Sequence, residues 1–389
     1  MRSFHKLTKW TGLSFPITLR DFGSLRSNSV TQSRVHVPVM KKDVVELLDP
    51  QSAQVLLDMT FGAGGHTRGL LEKVPNLTCF CLDRDPEFLV HVENMRMEFS
   101  KSEKSVVPML GKFSDLPALC RHHGLQPASA DMILMDLGVS SMQLDSDTRG
   151  FSFKSDCTLD MRMDGLSAKT VDAATVLNQL DASDLAKIFK IYGEERFARR
   201  VANAILEHRH TLGPIRTTKQ LADIITSVLP SSSSTHLSCS PLAKPHPATR
   251  IFQALRIFVN NELNELCLGL ELAERLLKPC HLSADGKGGR LAVLSFHSLE
   301  DRLVKWALTN SAELTTNGLA VQLANRTLPT QLGLHKRQTV LQQLRQHTAP
   351  TVEQMPRWKK TMGPLIPTDE EIAENPRSRS AKLRAGEKA

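Results

Sequence analysis

The stretch Val55-Leu-Leu-Asp58-Met-Thr-Phe-Gly62-Ala-Gly64-Gly65-His66 decides the fold. Its first four residues are an apolar run that ends in an acid, as in a buried strand, and Leu70 and Leu71 farther along indicate a helix. The glycines between them allow a ligand to approach the backbone, as in nucleotide-binding folds, although a tight structural turn would explain them equally well. The stretch therefore predicts a strand, a glycine-rich turn and a helix, which is the opening unit of an α/β sheet.

Four more short apolar runs along the chain share this character. Their near-continuous apolar residues suit parallel strands buried on both faces, so we predict strands at residues 55–58, 78–83, 106–110, 132–136 and 290–295. About 150 residues of helical periodicity separate the fourth run from the fifth. We therefore predict an α/β domain, residues 35–144 and 285–389, interrupted by an all-helical insertion, residues 145–284.

Helix signals place several elements inside and after this insertion. Thr217 and Thr218 are candidate caps, and residues 231–245 form a Ser-rich loop. One long helix is predicted after it, with Pro247 in the first turn and an apolar stripe from Phe252 to Leu270. Near the end, Thr368 opens a short capped segment, which precedes a basic tail.

Length and composition exclude several classes of protein. The 389 residues are 41% hydrophobic, which is enough for a sizeable core, and no run approaches the roughly 18 apolar residues of a membrane-spanning helix. The seven cysteines are odd in number and contain no C-x-x-C pair. This argues against a disulfide framework and against a zinc site, and we predict no metal.

The net charge of +8 is concentrated at the two ends of the chain. Residues 1–34 carry six Lys/Arg, one acid and ten Ser/Thr, and residues 376–389 carry five Lys/Arg and one acid, so the body between them is nearly neutral. The leader has the composition of a mitochondrial transit peptide, which indicates the matrix. A disordered N-terminus is the alternative, and a secretory signal fits worse because basic residues interrupt its apolar part. Any nucleic-acid footprint must be local.

An acid at the end of the second strand points to a nucleoside cofactor. Asp83 lies 18 residues beyond Gly65, where a carboxylate accepts hydrogen bonds from ribose hydroxyls, although Arg84 is an alternative partner for it. The dinucleotide fingerprint requires a third glycine where Thr67 stands. The mismatch disfavours an NAD-dependent dehydrogenase and leaves a cofactor without a pyrophosphate, such as S-adenosylmethionine.

The fourth strand delivers Asp136 to the carboxyl edge of the sheet, where open α/β folds bind ligands. There a carboxylate can accept the N–H bonds of a poorly nucleophilic exocyclic amine and hold its lone pair toward a methyl donor. Phe113, after the third strand, is a candidate cover for an adenine ring. His297 lies near Glu300 and Asp301, and we favour helix capping or target positioning over metal ligation for this group.

Nine motifs in one order resemble the MraW/RsmH family, which makes N4-methylcytidine in small-subunit ribosomal RNA. They are His36-Val-Pro-Val, Asp58-x-Thr-x-Gly-x-Gly-Gly-His66, Asp136-Leu-Gly-x-Ser-Ser-x-Gln143, Arg149-Gly-Phe-Ser-Phe153, Leu159-Asp-Met-Arg-Met-Asp164, Gly193-Glu-Glu195, Thr249-Arg-x-Phe-Gln-Ala-Leu-Arg256, Ser295-Phe-His-Ser-Leu-Glu-Asp301 and Asn375-Pro-Arg-Ser-Arg-Ser-Ala-Lys-Leu-Arg384. With the leader, the chain resembles the mitochondrial member of that family. Two departures are Cys157-Thr158 before Leu159 and the expanded turn from Cys280 to Lys287.

The resemblance implies a Rossmann-like class I S-adenosylmethionine methyltransferase domain with an inserted helical domain for substrate recognition. It implies that the cofactor contacts Gly64, Gly65, His66, Asp83, Phe113, Asp136 and Gln143, and that Asp136, Ser140 and His297 belong to the catalytic site. Small-subunit rRNA in a mitoribosomal assembly intermediate is the expected partner.

Six basic residues are candidate RNA contacts, namely Arg250, Arg256, Arg377, Arg379, Lys382 and Arg384. Arg250 and Arg256 lie six positions apart, so one of them is free to meet phosphate while the other pairs with a neighbouring acid. The tail cations form the densest positive stretch, for which a solvated end is the alternative. A non-catalytic assembly factor of the same fold remains the main rival function, and the oligomeric state stays open.

Overall fold

The computed structural model describes residues 37–165, 170–229, 246–309 and 357–389. Val37–Ala389 is one compact unit. The predicted leader, the Ser-rich loop at 231–245 and the residues from 310 to 356 lie outside the described residues, and so does the helix stop at Pro230. No helix within the described ranges is long and apolar enough to cross a membrane.

The strands and helices alternate along the first part of the chain, as the sequence predicts. In chain order they are α1 Lys41–Leu48, β1 Gln54–Asp58, α2 Gly65–Lys73, β2 Leu77–Asp83, α3 Phe88–Glu98, β3 Ser105–Leu110, α4 Leu116–His123, β4 Met132–Asp136 and α5 Ser141–Asp145. The second part contains α6 Ala173–Gln179, α7 Ala182–Tyr192, α8 Ala198–Thr211, α9 Thr218–Val228, α10 Ala248–Asn260, α11 Glu262–Leu276, β5 Arg290–Ser295, α12 Ser298–Thr309, β6 Trp358–Leu365, α13 Asp369–Glu374 and β7 Lys382–Lys388.

The described strands form one seven-stranded sheet in the order β3-β2-β1-β4-β5-β7-β6. Strands β1 to β5 are parallel, whereas β7 runs antiparallel to both β5 and β6. The five predicted strands are confirmed to within a residue at their ends. The strand order reverses between β1 and β4, and in open α/β sheets the crevice at such a switch point binds the ligand.

Both faces of the sheet are covered, which explains the continuous apolar runs of its strands. Leu56 and Leu57 of β1 are fully buried on opposite faces. The face with Leu57 belongs to the same apolar cluster as the inserted helices, whereas the face with Leu56 packs against residues of α1, α2 and α3. The inserted helices and the sheet therefore share one continuous core.

The insertion is all-helical, as predicted, and its caps follow simple rules. The Thr217 hydroxyl accepts the backbone N–H of Gln220 at the start of α9, and the Gln220 side chain returns a bond to the Thr217 N–H. The Thr368 side chain caps α13 by accepting the backbone N–H of Glu371. Helix α10 begins directly after Pro247.

The prediction of one long helix after Pro247 is wrong. Asn261 adopts a left-handed conformation with φ of 53°, and it ends α10 and begins α11. Asparagine tolerates this conformation because its short polar side chain forms local hydrogen bonds, and the Asn261 side-chain oxygen accepts one from Asn264. The apolar stripe continues through the break, which is why periodicity alone misses it.

The basic tail is not a solvated end, which was the alternative in the sequence analysis. Residues 382–388 form β7, which lies between β5 and β6 inside the sheet. The charged residues of β7 interrupt the apolar pattern by which a strand is recognised in sequence. Strand β6 lacks that pattern too, because most of its side chains are exposed. The sheet is therefore two strands wider than the sequence predicts.

Candidate active site

The glycine-rich turn after β1 needs its glycines at two positions. Gly62 and Gly64 have φ of 52° and 76°, which residues with a side chain rarely adopt. A Cβ atom at Gly64 would lie 2.5 Å from the Phe61 ring, and one at Gly65 would lie 2.4 Å from the Pro38 ring. Backbone conformation and close packing therefore both require glycine in this turn at the beginning of α2, the place where a nucleoside cofactor would bind.

Asp83 holds this turn from the end of β2. Its carboxylate accepts the N–H of Gly62 at 2.7 Å and the N–H of Asp85 at 2.9 Å. Burial raises the pKa of Asp83 to about 6, although these two backbone donors act in the opposite direction. The acid that the sequence assigns to ribose binding is thus placed against the glycine turn.

Asp58, at the end of β1, was missed by the sequence analysis. The carboxylate is buried and accepts the Thr67 hydroxyl at 2.6 Å and the Thr60 N–H at 3.0 Å. Burial raises its pKa to about 6. Thr67, which breaks the dinucleotide fingerprint, therefore anchors α2 to β1. The sequence signal that could have revealed Asp58 is its position as an acid at the end of an apolar strand.

Asp136 and His66 meet at the switch point between β1 and β4. His66 Nε2 lies 3.5 Å from Asp136 Oδ2, and the ring is buried. Both ring nitrogens and Asp136 Oδ1 are buried, and no other described residue forms a hydrogen bond with them. Buried polar atoms without partners are rare in proteins, so this pair fits a ligand that completes its hydrogen bonds.

Ser140 and Gln143 stabilise the beginning of α5 in the loop after Asp136. The Ser140 hydroxyl accepts the Gln143 N–H at 3.2 Å, and the Gln143 amide oxygen accepts the Ser140 N–H. The Gln143 amide also donates to Asp85 at 2.8 Å. Their catalytic and cofactor roles stay predictions, and the contacts show a structural role for Gln143.

Phe113 opens a short 3₁₀ helix after β3 and is half-buried. A Cβ atom at Gly269 of α11 would lie 2.7 Å from its ring. The ring therefore packs against α11 at the ligand-binding edge of the sheet, and its contact with adenine stays a prediction.

His297 belongs to a buried charged cluster. Its Nε2 lies 3.0 Å from Glu300 Oε1, and Arg256 donates to both carboxylate oxygens of Glu262 at 2.8 and 2.9 Å. Ligand atoms of Glu262, His297 and Glu300 lie within 4.8 Å of one another, but Arg256 also approaches Glu300 at 3.9 Å and supplies positive charge to both acids. The sequence grouped Asp301 with His297, whereas Asp301 pairs with β7.

The predicted RNA contacts lie mainly in ion pairs. Arg384 and Lys382 share Asp301 at 2.7 and 3.1 Å, and Arg377 pairs with Asp145 at 2.5 Å. Arg256 is engaged with Glu262, and Arg379 also has a partner. Arg250 is more than half exposed and lies 3.9 Å from Glu195. Arg250 therefore has the longest of these ion-pair distances, and the RNA role of all six stays a prediction.

Comparisons with known proteins identify the family of this chain. The model of the MraW methylase family matches residues 33–389. The chain belongs to this family. It is therefore an S-adenosylmethionine-dependent methyltransferase with a Rossmann-like fold. The bare glycine turn, Asp83 and the unsatisfied Asp136–His66 pair fit such a cofactor and its target.

Curated members of the family span nearly the same length. The chain is 43% identical to the 12S rRNA N(4)-cytidine methyltransferase METTL15 of Homo sapiens, over 91% of this chain and 83% of that protein. It is 42% identical to the probable methyltransferase-like protein 15 homolog of Drosophila melanogaster, over 96% and 98%. It is also 43% identical to the ribosomal RNA small subunit methyltransferase H of Methylorubrum populi, over 91% and 87%.

Proposed function

We propose that this MraW-family enzyme methylates N4 of a cytidine in the small-subunit rRNA of mitochondria. The relatives named as 12S rRNA N(4)-cytidine methyltransferases support the substrate, since they are about 43% identical over most of the chain. The observation that carries the reaction is Asp136 Oδ1, which is buried beside the glycine turn and has no hydrogen-bond partner among the residues that the structure describes. A non-catalytic assembly factor would not need to maintain this costly arrangement.

The glycine turn and Asp83 form the cofactor side of the site. When bound, S-adenosylmethionine supplies an electrophilic methyl group on a sulfonium. The Asp83 carboxylate retains lone pairs for ribose hydroxyls beyond its two backbone donors, and it holds the glycine turn beside them. His66, Phe113 and Gln143 complete the proposed contacts.

Asp136 forms the target side of the site. Its Oδ1 is free to accept an N–H of the cytosine amine, which holds the lone pair of that nitrogen toward the methyl group. The same carboxylate is placed to receive the proton that N4 loses, and the buried His66 ring lies 3.5 Å from its other oxygen. Ser140 and His297 act here as positioning residues in the surrounding loops.

The target base must leave its stack to reach Asp136 at the bottom of this crevice. Recognition therefore uses a single-stranded or opened segment of rRNA. A mitoribosomal assembly intermediate offers such segments before the subunit is complete. The matrix is the compartment that this substrate and the basic leader both indicate.

The decisive experiment maps N4-methylcytidine in mitochondrial small-subunit rRNA from cells that lack this protein. Re-expression of the wild type should restore the modification, and Asp136→Asn should not. In vitro we expect kcat to fall about 100-fold or more, because a positioned acceptor is lost, while the Kd for the cofactor changes less than the rate. Restoration by Asp136→Asn would instead support the non-catalytic assembly factor.

The location is tested separately. A fluorescent reporter fused to residues 1–34 should enter the matrix, and neutral residues in place of the leader cations should keep it in the cytosol. A cytosolic wild-type reporter would contradict the transit-peptide proposal without affecting the reaction.

A further inference from the structure

An exposed patch of three arginines and one aromatic ring lies at the beginning of α8. It consists of Arg196, Phe197, Arg199 and Arg200, and we call it the arginine-phenylalanine patch. All four residues are exposed, and Phe197 retains 37% of its surface accessibility. The patch directly follows the Gly193-Glu-Glu195 turn. Neither the fold nor the proposed chemistry at Asp136 uses it.

The arginines of the patch are available for a partner. Within the described part of the chain, Arg196, Arg199 and Arg200 form no ion pair, whereas the tail cations Lys382 and Arg384 are bound to Asp301. The first turn of α8 contains no acid. Arg199 and Arg200 lie in this first turn, where the helix dipole disfavours positive charge. A concentration of unpaired positive charge with no structural benefit indicates a binding surface for a polyanion.

Phe197 gives this surface a second property. The Arg196 guanidinium lies 5.7 Å from the centre of its ring, and the buried Glu195 carboxylate accepts the Phe197 N–H at 2.8 Å. The backbone of Phe197 is therefore fixed by this hydrogen bond, while its ring remains accessible. Exposed aromatic rings among basic side chains are typical of surfaces that stack the bases of single-stranded nucleic acids.

Contacts connect the patch to the active-site side of the molecule. Glu194, two residues before Arg196, accepts hydrogen bonds from Ser298 and from Arg302 of α12. Ser298 follows His297, whose partner Glu300 is approached by Arg256. A Cβ atom at Gly138, two residues after Asp136, would lie 3.9 Å from Arg256. These contacts link the turn before the patch, through α12 and Arg256, to the loop that follows Asp136.

We propose that the arginine-phenylalanine patch binds the single-stranded rRNA segment that flanks the target cytidine. The three guanidinium groups contact phosphates, and a base stacks on Phe197. Arg250 joins this surface, because its partner Glu195 lies in the same turn. The inference rests on the proposed rRNA substrate and assigns a recognition surface to it.

The test replaces Arg196, Arg199 and Arg200 together by Ala in the full chain. A matched control replaces Lys73, Lys101 and Arg121, which are also exposed and form no ion pair within the described ranges, but lie on or beside the helices that connect β1 to β4. Binding of a small-subunit rRNA transcript is measured as a function of salt. Loss of three phosphate contacts should lower the slope of log affinity against log salt concentration by about 2 and should weaken rRNA affinity roughly 10-fold or more. The control variant should change both quantities much less.

The stacking part of the proposal is tested at Phe197. Phe197→Leu should weaken rRNA affinity roughly 5-fold or more through loss of stacking. The separate variant Phe197→Tyr, which keeps an aromatic ring, should bind rRNA with the wild-type affinity. The Kd for S-adenosylmethionine should stay the same in all of these variants. This second readout separates lost RNA contact from a folding defect.

Three outcomes would overturn the inference. An unchanged salt slope in the triple variant would remove the phosphate contacts. Equal affinities for Phe197→Leu and the wild type would remove the stacking. Normal binding of naked rRNA with poor methylation of small-subunit particles would assign the patch to a protein partner instead. If the wild type itself methylates no rRNA, the proposed function fails, which is a different result from any of these.

Discussion

At the scale of single residues, Asp83 combines two tasks at the end of β2. It accepts the Gly62 N–H that shapes the glycine turn, and it is our candidate for ribose binding. Asp83→Ala should therefore weaken binding of S-adenosylmethionine by roughly 1.5–3 kcal/mol, as expected for hydrogen bonds to a charged group. Isothermal titration calorimetry measures this change, and an unaltered affinity would remove Asp83 from the site.

The raised pKa of Asp83 also predicts a pH dependence. Because burial raises this pKa from 3.8 to about 6, the carboxylate becomes protonated as the pH falls through about 6 and loses acceptor strength. Cofactor affinity should therefore be constant above this range and decline below it. Asp83→Asn should abolish that decline. Since the pKa of Asp58 is also raised to about 6, a decline that persists in Asp83→Asn would assign the effect to Asp58.

Arg149 shows how a buried charge fastens the loop after α5 to the sheet. It is 2% exposed, pairs with Asp85 at 2.9 Å and donates to the carbonyl oxygens of Arg162 and Met163. Arg149→Ala leaves Asp85 buried without this cation, so the free energy of unfolding should fall by about 3–5 kcal/mol.

Chemical denaturation checks this prediction against a surface pair. Arg96 forms an exposed pair with Glu93, and Arg96→Ala should change stability by less than about 1 kcal/mol. Equal effects of the two substitutions would show that the Arg149 network contributes no more than a surface ion pair.

At the scale of elements, the junction between α10 and α11 depends on Asn261. Its left-handed backbone directs α11 onto the sheet, where Gly269 meets the ring of Phe113. Asn261→Gly should preserve stability, because glycine adopts this conformation freely. Asn261→Val should lower the free energy of unfolding by roughly 1–2 kcal/mol, because a β-branched residue is strained there.

Thermal unfolding of both variants measures the difference. If Asn261→Val is as stable as Asn261→Gly, the backbone conformation at this junction does not determine stability.

The packing of α11 also bears on the domain boundaries. It favours an end of the helical insertion near Asn261, whereas the boundary at residue 284 remains a prediction from the sequence.

At the scale of the whole molecule, strand β7 extends the sheet beyond β5 and joins β6 to it. Lys382 and Arg384 share Asp301 of α12, and these contacts lower the pKa of Asp301 even though its burial acts in the opposite direction. Replacing Lys382 and Arg384 by Ala should destabilise the protein and change the salt slope of RNA binding little.

A double-mutant cycle with Asp301→Ala separates the two roles. Coupling in the free energy of unfolding supports the structural role, since residues of one ion-pair network are not additive. A flatter salt slope at unchanged stability would instead restore these residues as phosphate contacts, as the sequence suggests.

The sequence by itself determined the features that depend on neighbours along the chain. The apolar runs predict β1 to β5, the glycine turn predicts the cofactor crevice, and acids at strand ends predict Asp83 and Asp136. The strand predictions are confirmed because strand period is a local property, whereas the cofactor roles of the turn and of the two acids stay predictions.

Only the tertiary structure decided which charges are free. It places β7 within the sheet, pairs Arg384 with Asp301, an acid distant in sequence, and leaves Arg196, Arg199 and Arg200 exposed. It also brings His66 to Asp136 across 70 residues of chain. A cation reads the same in sequence whether its partner is an acid or a solvent molecule, because pairing depends on contacts between remote elements. Composition therefore locates the densest positive charge in the tail. The structure shows that tail cations are paired, whereas the arginines at the beginning of α8 are exposed.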